Sequence, residues 1–247
     1  MNNKSVWISI VAAALSFAGG FLLANALNRS ELDLVKSEND RLKTTQTRDA
    51  KDIADTTLTN DEIQKKITEA DQNPGNFQFQ KSLGLALYRY SSMKQDPKIL
   101  AEALRLLTRA HEIDSKDRDI QVGLGNAYFG SGYFNKDNKN FELAREFYRK
   151  ALATKPSDVE VRTDLGLTYF LQEPPELPLA IEQFEASLKT DPKHEKTLQF
   201  LIQSLVKKND GEKARLYLDQ LKNTNRDNQF IPELSSLVAQ ISTTPVK

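Results

Sequence analysis

Leu83–Tyr88 (LGLALY), Leu124–Phe129 (LGNAYF) and Leu165–Phe170 (LGLTYF) are three versions of one motif, set 41 residues apart. Each is followed by a second apolar run: Ala103…Leu107…Ala110, Ala144…Tyr148…Ala151 and Ala180…Phe184…Ser187. Spacings of three and four put such residues on one helical face, so each unit is predicted to be a pair of helices. Small residues at the Gly and Ala positions let the two helices touch. Pro156 and Pro192 fall five residues after Ala151 and Ser187 and end the second helix, with Ser115 in the equivalent place after Ala110. Self-similarity at a fixed period is the mark of a stacked array, in which each unit buries its apolar face against the next.

The pattern resembles the tetratricopeptide repeat (TPR) family, whose unit is a helix–turn–helix of about 34 residues. Its first helix carries L-G-x-x-Y, its second A-x-x-x-F-x-x-A, and Pro follows. Leu124, Gly125, Tyr128, Ala144, Tyr148, Ala151 and Pro156 match best, and residues 77–226 hold about three and a half to four units. The fourth is degenerate: Ile202 replaces the Gly, while Leu198, Leu201, Leu205, Ala214, Leu218 and Leu221 keep the spacing. Units one and two carry seven extra residues between Gly and Ala, around SSMKQDP and SGYFNKDNKN, and unit three carries two. Longer helices and an enlarged turn both accommodate them. The family's early Trp is absent, with Gln80, Gln121 and Arg162 in its place.

The flanks complete the expected architecture. Ile63 and Ile67 predict a helix over Asp61–Gln72, in a flanking segment 61–76. Leu234, Leu237, Val238 and Ile241 form a stripe predicting a capping helix from Ile231, within 227–247, because an open-ended array needs its last face covered. The tail from Ser242 is expected to fray. The expected fold is all-α: a TPR-like right-handed α-solenoid with a C-terminal capping helix and an N-terminal transmembrane helix.

That last element is read from Val6–Leu27, 22 residues without a charge, after a short tail 1–5. As a helix the run is about 33 Å long, against roughly 30 Å of bilayer hydrocarbon, and Trp7 at its edge suits the interface. Ala24-Asn25-Ala26 has the form of a signal-peptidase site, but the run exceeds an ordinary signal's apolar region, so an uncleaved single-pass anchor is the primary expectation. Lys4 on one flank and Arg29 and Lys36 on the other nearly balance; the short basic tail favours an extracytoplasmic, periplasmic-side domain, as in bacterial-type anchored TPR proteins. Ala12, Ser16, Gly20 and Ala24 line one face where two anchors could pack as a homo-oligomer; the other reading is the ordinary Ala/Gly content of such anchors. Residues 28–60 are polar, with only two heptads at Leu32, Val35 and Leu42, and read as a partly helical spacer.

The resemblance implies a concave face lined by the first helix of each unit. Its register assigns Gln78, Lys81, Leu85 and Tyr88 from unit one; Asp119, Val122, Asn126 and Phe129 from unit two; Glu160, Thr163, Leu167 and Phe170 from unit three; and Lys196, Gln199, Gln203 and Val206 from unit four. Tyr88, Phe129 and Phe170 recur at one place, either as a stripe anchoring a peptide or as packing between helices. The Lys-x-x-x-Asn pair that grips a C-terminal carboxylate in some TPR proteins is not matched, since Leu85 follows Lys81 and Val122 precedes Asn126.

Enzymatic chemistry finds little raw material. The chain has 34 Lys+Arg and 34 Asp+Glu, a balance unlike a nucleic-acid surface. It has no cysteine and two histidines, His111 and His194, read as surface residues. Gly123–Gly130 lacks G-x-G-x-x-G spacing and a preceding strand, and no P-loop, H-E-x-x-H or G-x-S-x-G occurs. Asp114, Asp117 and Asp119 read as solvated turn residues. The expectation is therefore no catalytic residue, metal or cofactor, but a membrane-anchored scaffold that binds a protein or peptide and assists an envelope complex. The alternative is a homo-oligomeric organiser without a peptide ligand.

Overall fold

A computed structural model describes residues 59–242, which fall into two compact units dividing after Asp114. The first holds α1 (Asn60–Gln72), α2 (Phe77–Lys94) and α3 (Pro97–Ile113). The second holds α4 (Arg118–Asn135), α5 (Asn138–Thr154), α6 (Val159–Leu171), α7 (Leu177–Thr190), α8 (Glu195–Lys207), α9 (Gly211–Thr224) and α10 (Ile231–Ser242). The described residues form helices and connections, with no strand among them. The expected span at Val6–Leu27 lies outside them, and no described helix is long and apolar enough to cross a membrane.

The helices pair as the repeat requires: α2 with α3 in the first unit, and α4 with α5, α6 with α7 and α8 with α9 in the second. At each tight contact the motif glycine faces a large side chain of the second helix. A Cβ on Gly84 would lie 2.8 Å from Leu107, on Gly125 2.6 Å from the Tyr148 ring, and on Gly166 2.5 Å from the Phe184 ring. Leu107, Tyr148 and Phe184 are all buried, so these glycines exist for closeness of approach. Gly166→Ala gains about 1 kcal/mol of helix propensity and loses up to about 3 kcal/mol to overpacking. The expected net loss is about 2 kcal/mol in urea unfolding, and Phe184→Leu in the same chain should relieve part of it.

The extra residues of units one and two lengthen the helices rather than the turns. Helices α2 and α4 have 18 residues and α3 and α5 have 17, against 13 or 14 in the following pairs. The added turn of α4 is packed like the rest, with a Cβ on Gly132 placed 3.0 Å from Phe141. The connection shrinks to two residues. Gln95 and Lys136 stop α2 and α4 in the left-handed region, at φ 53° and 51°, and the next residues, Asp96 and Asp137, cap α3 and α5. Asp117 and Asp158 cap α4 and α6. Asp117, read as merely solvated, thus satisfies the Ile120 amide at a helix start.

Where a long pair meets a short one, the loop after α6 makes up the difference. Asn138 pairs with the backbone of Glu173, donating through Nδ2 to its carbonyl at 2.7 Å and accepting from its amide at 3.1 Å. The Glu176 amide donates to the Tyr169 carbonyl at 2.9 Å, and buried Gln172 accepts from Arg145 at 2.9 Å. Arg145 lies 4.6 Å from the centre of the Tyr169 ring. Helix α10 packs on α8 and α9, burying Leu234 and Val238.

The three residues standing where the family has Trp share one task. Gln80 Nε2 donates to the Ala70 and Asn73 carbonyls at 2.6 and 3.1 Å. Gln121 Nε2 donates to Ser115 at 2.9 Å and Arg162 to Pro156 at 3.0 Å. Each ties the start of a first helix to the turn preceding it.

Candidate interaction face

The first helices α4, α6 and α8 of the second unit follow one another through their partners, and α6 touches both α4 and α8. The face assigned from sequence is more deeply set than its register implied. Tyr88, Phe129 and Phe170 are 4, 4 and 5% exposed, so they are not a solvent-facing stripe. Phe129 meets Phe141 edge-on, and Phe170 meets Phe200 edge-on with the Lys207 ammonium 4.5 Å from its ring centre. Loss of water lowers the Lys207 ammonium, and the Glu173 charge offsets part of this. Thr163, Leu167 and Gln199 are buried as well. A register gives a direction around the helix but cannot say how closely neighbouring helices approach.

The remaining assigned residues lie nearer the surface. Gln78, Asp119 and Glu160 are exposed, and Lys81, Leu85, Val122, Asn126, Lys196, Gln203 and Val206 are half-buried. Asn126 accepts a hydrogen bond from the Tyr148 hydroxyl at 2.9 Å, and Gln78 donates to Ser82 at 3.1 Å.

Polar density concentrates where α6 and α8 begin. Lys196 donates to Asp164 at 2.8 Å and to Glu160 at 3.4 Å, and His194 Nε2 lies 2.9 Å from Glu160. The Asp164 side chain is 3% exposed, so a cation beside it is needed for its burial. Partial loss of water around the Glu160 carboxyl would by itself push it up; the His194 hydrogen bond and the charges of Lys196 and His194 outweigh this and bring it down to about 2. His194 is therefore not a plain surface residue: its side chain is 16% exposed and engaged at both ring nitrogens. Its partners lie 34 residues away on another helix, a separation no local motif reports. Asp164 was not among the residues the sequence singled out.

The lowered carboxyl sets an acid limit. A depressed folded value gives stability that is present above the ordinary 4.5 and is lost as pH falls toward about 2. Glu160→Gln is expected to flatten that part of an acid-unfolding curve followed by circular dichroism.

Among the described residues, no group of His, Asp or Glu could hold a metal ion. What the geometry offers is a row of helix faces carrying polar and apolar side chains at graded depth. Antiparallel helix pairs, closed by glycine against an aromatic or leucine and repeated with aspartate caps, define a tetratricopeptide-repeat fold. Residues 57–212, more than half of the chain, match the family model described as "Plant specific mitochondrial import receptor subunit TOM20", and the chain belongs to that family.

Two solved structures agree on the fold. A crystal structure of MamA aligns with a TM-score of 0.54 at 18% identity, covering 67% of this chain and 87% of that one. A second, of MamA protein, aligns at 0.52 with 17% identity, covering 75% and 87%. A crystal structure of YrrB, a TPR protein with an unusual peptide-binding site, is 19% identical over 69% of this chain and 97% of that one, at a TM-score of 0.37. No curated protein matches the chain.

Proposed function

We propose that the chain is a protein-binding scaffold tethered to a membrane through Val6–Leu27, with the first-helix face receiving a peptide or protein segment. Membership of a family described as import receptor subunits is the observation that carries this reading, because a receptor subunit works by recognising other proteins. The repeat supports it physically: within the second unit the stacked pairs present successive first-helix faces, suited to a chain segment. Tethering raises the local concentration of the face for partners at the same membrane. Assistance to an envelope complex, with the helical part held extracytoplasmically, is the form of this proposal that the short basic N-terminal tail favours.

The test is crosslinking of the full chain in membranes followed by mass spectrometry, beside a Gln78→Ala, Val122→Ala, Gln203→Ala variant. These side chains are exposed or half-buried, so their truncation spares the core. Capture of a specific partner that the variant loses is expected. Recovery of the protein alone, equally from both, would replace the proposal with self-assembly through the anchor face. The side of the membrane is read separately: the chain has no cysteine, so Lys189→Cys gives a single site for an impermeant thiol reagent.

A further inference from the structure

Helix α5 sets Arg145 and Arg149 four residues apart, on one side of the helix that packs on α6. Both reach the same ring. The Arg145 guanidinium lies 4.6 Å from the centre of the Tyr169 ring, and Arg149 donates to the Tyr169 hydroxyl at 2.6 Å. Arg145 and Tyr169 are each only 7% exposed. Like charges at this helical spacing repel, so the arrangement is unfavourable unless something negative offsets it. Elsewhere in this unit the protein supplies the offset itself: Arg118 pairs with Asp158, and Lys196 with Asp164 and Glu160. Arg145 and Arg149 have no carboxylate partner among the described residues, although Glu142 and Glu146 stand three positions before them on the same helix.

Donors outnumber acceptors around this ring. A guanidinium carries five N–H groups. Arg145 uses one on the Gln172 side-chain carbonyl at 2.9 Å, and Arg149 uses one on Tyr169. Gln172 has nothing more to offer, because its own amide donates to the Pro174 carbonyl at 3.2 Å. The Tyr169 hydroxyl accepts from Arg149, and its hydrogen has no protein acceptor among the described residues. The remaining Arg145 nitrogens are not among the sealed, unpartnered atoms, so they keep a small opening to solvent, and Arg149 beside them is exposed. The missing component is an acceptor with negative charge. A carboxylate brings one charge and two oxygens. A phosphate dianion brings close to two charges and three strong acceptor oxygens, which matches two guanidinium forks and a hydroxyl.

We propose that Arg145, Arg149 and Tyr169 form an oxyanion site for a phosphate dianion, either the free ion or the monoester headgroup of a lipid. Arg145, stacked on Tyr169 and held by Gln172, is the preorganised charge; Arg149 is the exposed charge that meets the ion first; Tyr169 adds its hydroxyl hydrogen. None of the three belongs to the assigned first-helix face, so the site stands whether or not that face binds a peptide.

The experiment uses the full chain, ¹⁵N-labelled in uncharged detergent micelles. Proton–nitrogen spectra follow the side-chain Nε–H signals of Arg145 and Arg149, assigned through Arg145→Lys and Arg149→Gln, while inorganic phosphate replaces chloride at fixed ionic strength. Both signals are expected to move together and to saturate in the millimolar range. Arg149→Gln should weaken the binding seen at Arg145 about tenfold, the worth of one charge-assisted hydrogen bond. Tyr169→Phe keeps the ring against Arg145 and should weaken it about fivefold, the worth of one neutral hydrogen bond. Lys189→Gln, outside the site, should leave it unchanged; circular dichroism checks that each variant folds. A second titration dopes phosphatidic acid into the micelles. Saturation by inorganic phosphate identifies the free ion as sufficient, and saturation by phosphatidic acid alone identifies the headgroup. Shifts that grow linearly with both probes, or that saturate equally in Arg149→Gln and Tyr169→Phe, would overturn the site.

Discussion

Phe184→Ala is expected to lower the unfolding free energy by about 4 kcal/mol, because it removes a fully buried ring and leaves the cavity behind. Phe184 sits at the hub of the second unit: the Gly166 backbone presses on one side, and the Phe200 ring lies 6.3 Å away at 24°. Collapse is hard to achieve there, since Gly166 has no side chain to move and Phe200 is already engaged with Phe170. At about 2–4 °C per kcal/mol for a domain of this size, the melting temperature should fall by roughly 8–16 °C. Thermal unfolding of the full chain in detergent, followed by circular dichroism, measures it. Phe184→Leu keeps most of the volume and should lose about a third as much. A loss under about 1 kcal/mol for the alanine variant would mean that the unit repacks freely, contrary to the close contact at Gly166.

Lys196→Met should cost about 3 kcal/mol, the scale on which a buried pair responds to loss of one member. The ammonium lies 2.8 Å from Asp164, whose side chain is almost wholly out of water, and 3.4 Å from the better solvated Glu160. Asp164 dominates the cost, because an exposed carboxylate is hydrated when its partner leaves and a buried one is not. The double variant Lys196→Met, Asp164→Leu should recover much of the loss, since an apolar pair of similar volume needs no charge compensation. Urea unfolding of the singles and the double closes the cycle. If Lys196→Met alone is neutral, the cation is not what supports Asp164.

These two sites also show what the sequence could and could not reveal. The Phe184 contact was legible: Gly166 and Phe184 fall on the family pattern, and the same pairing recurs at Gly125 with Tyr148 and Gly84 with Leu107. Cap positions were legible in type, as aspartates at turns, but not in role. Helix length was not legible, because seven extra residues fit two longer helices or one long turn equally well until Asp96 and Asp137 are seen capping helices immediately after a left-handed stop. The α6–α8 network was hidden for a different reason. Its charged contacts join residues 32 to 36 apart, and their types, one His, one Lys and two carboxylates, are ordinary on any helix. The depth of Thr163, Leu167 and Phe170 was hidden too, since periodicity gives a direction and burial depends on what the direction meets.

The junction at Asn138 has a consequence for how such a chain can change. Helix α4 outruns α6 by five residues, about 7.5 Å of rise, and the backbone of Glu173 is moored to Asn138 in the space this leaves. The two modules are matched as a step and its riser rather than as equal bricks. Duplicating the long module in place of the short one would drive the new helical turn into the site that the 172–176 loop occupies, and trimming the long one would strand that loop without its mooring. Recombination along this chain is therefore constrained to keep neighbours of these lengths together, although each module on its own obeys the same repeat.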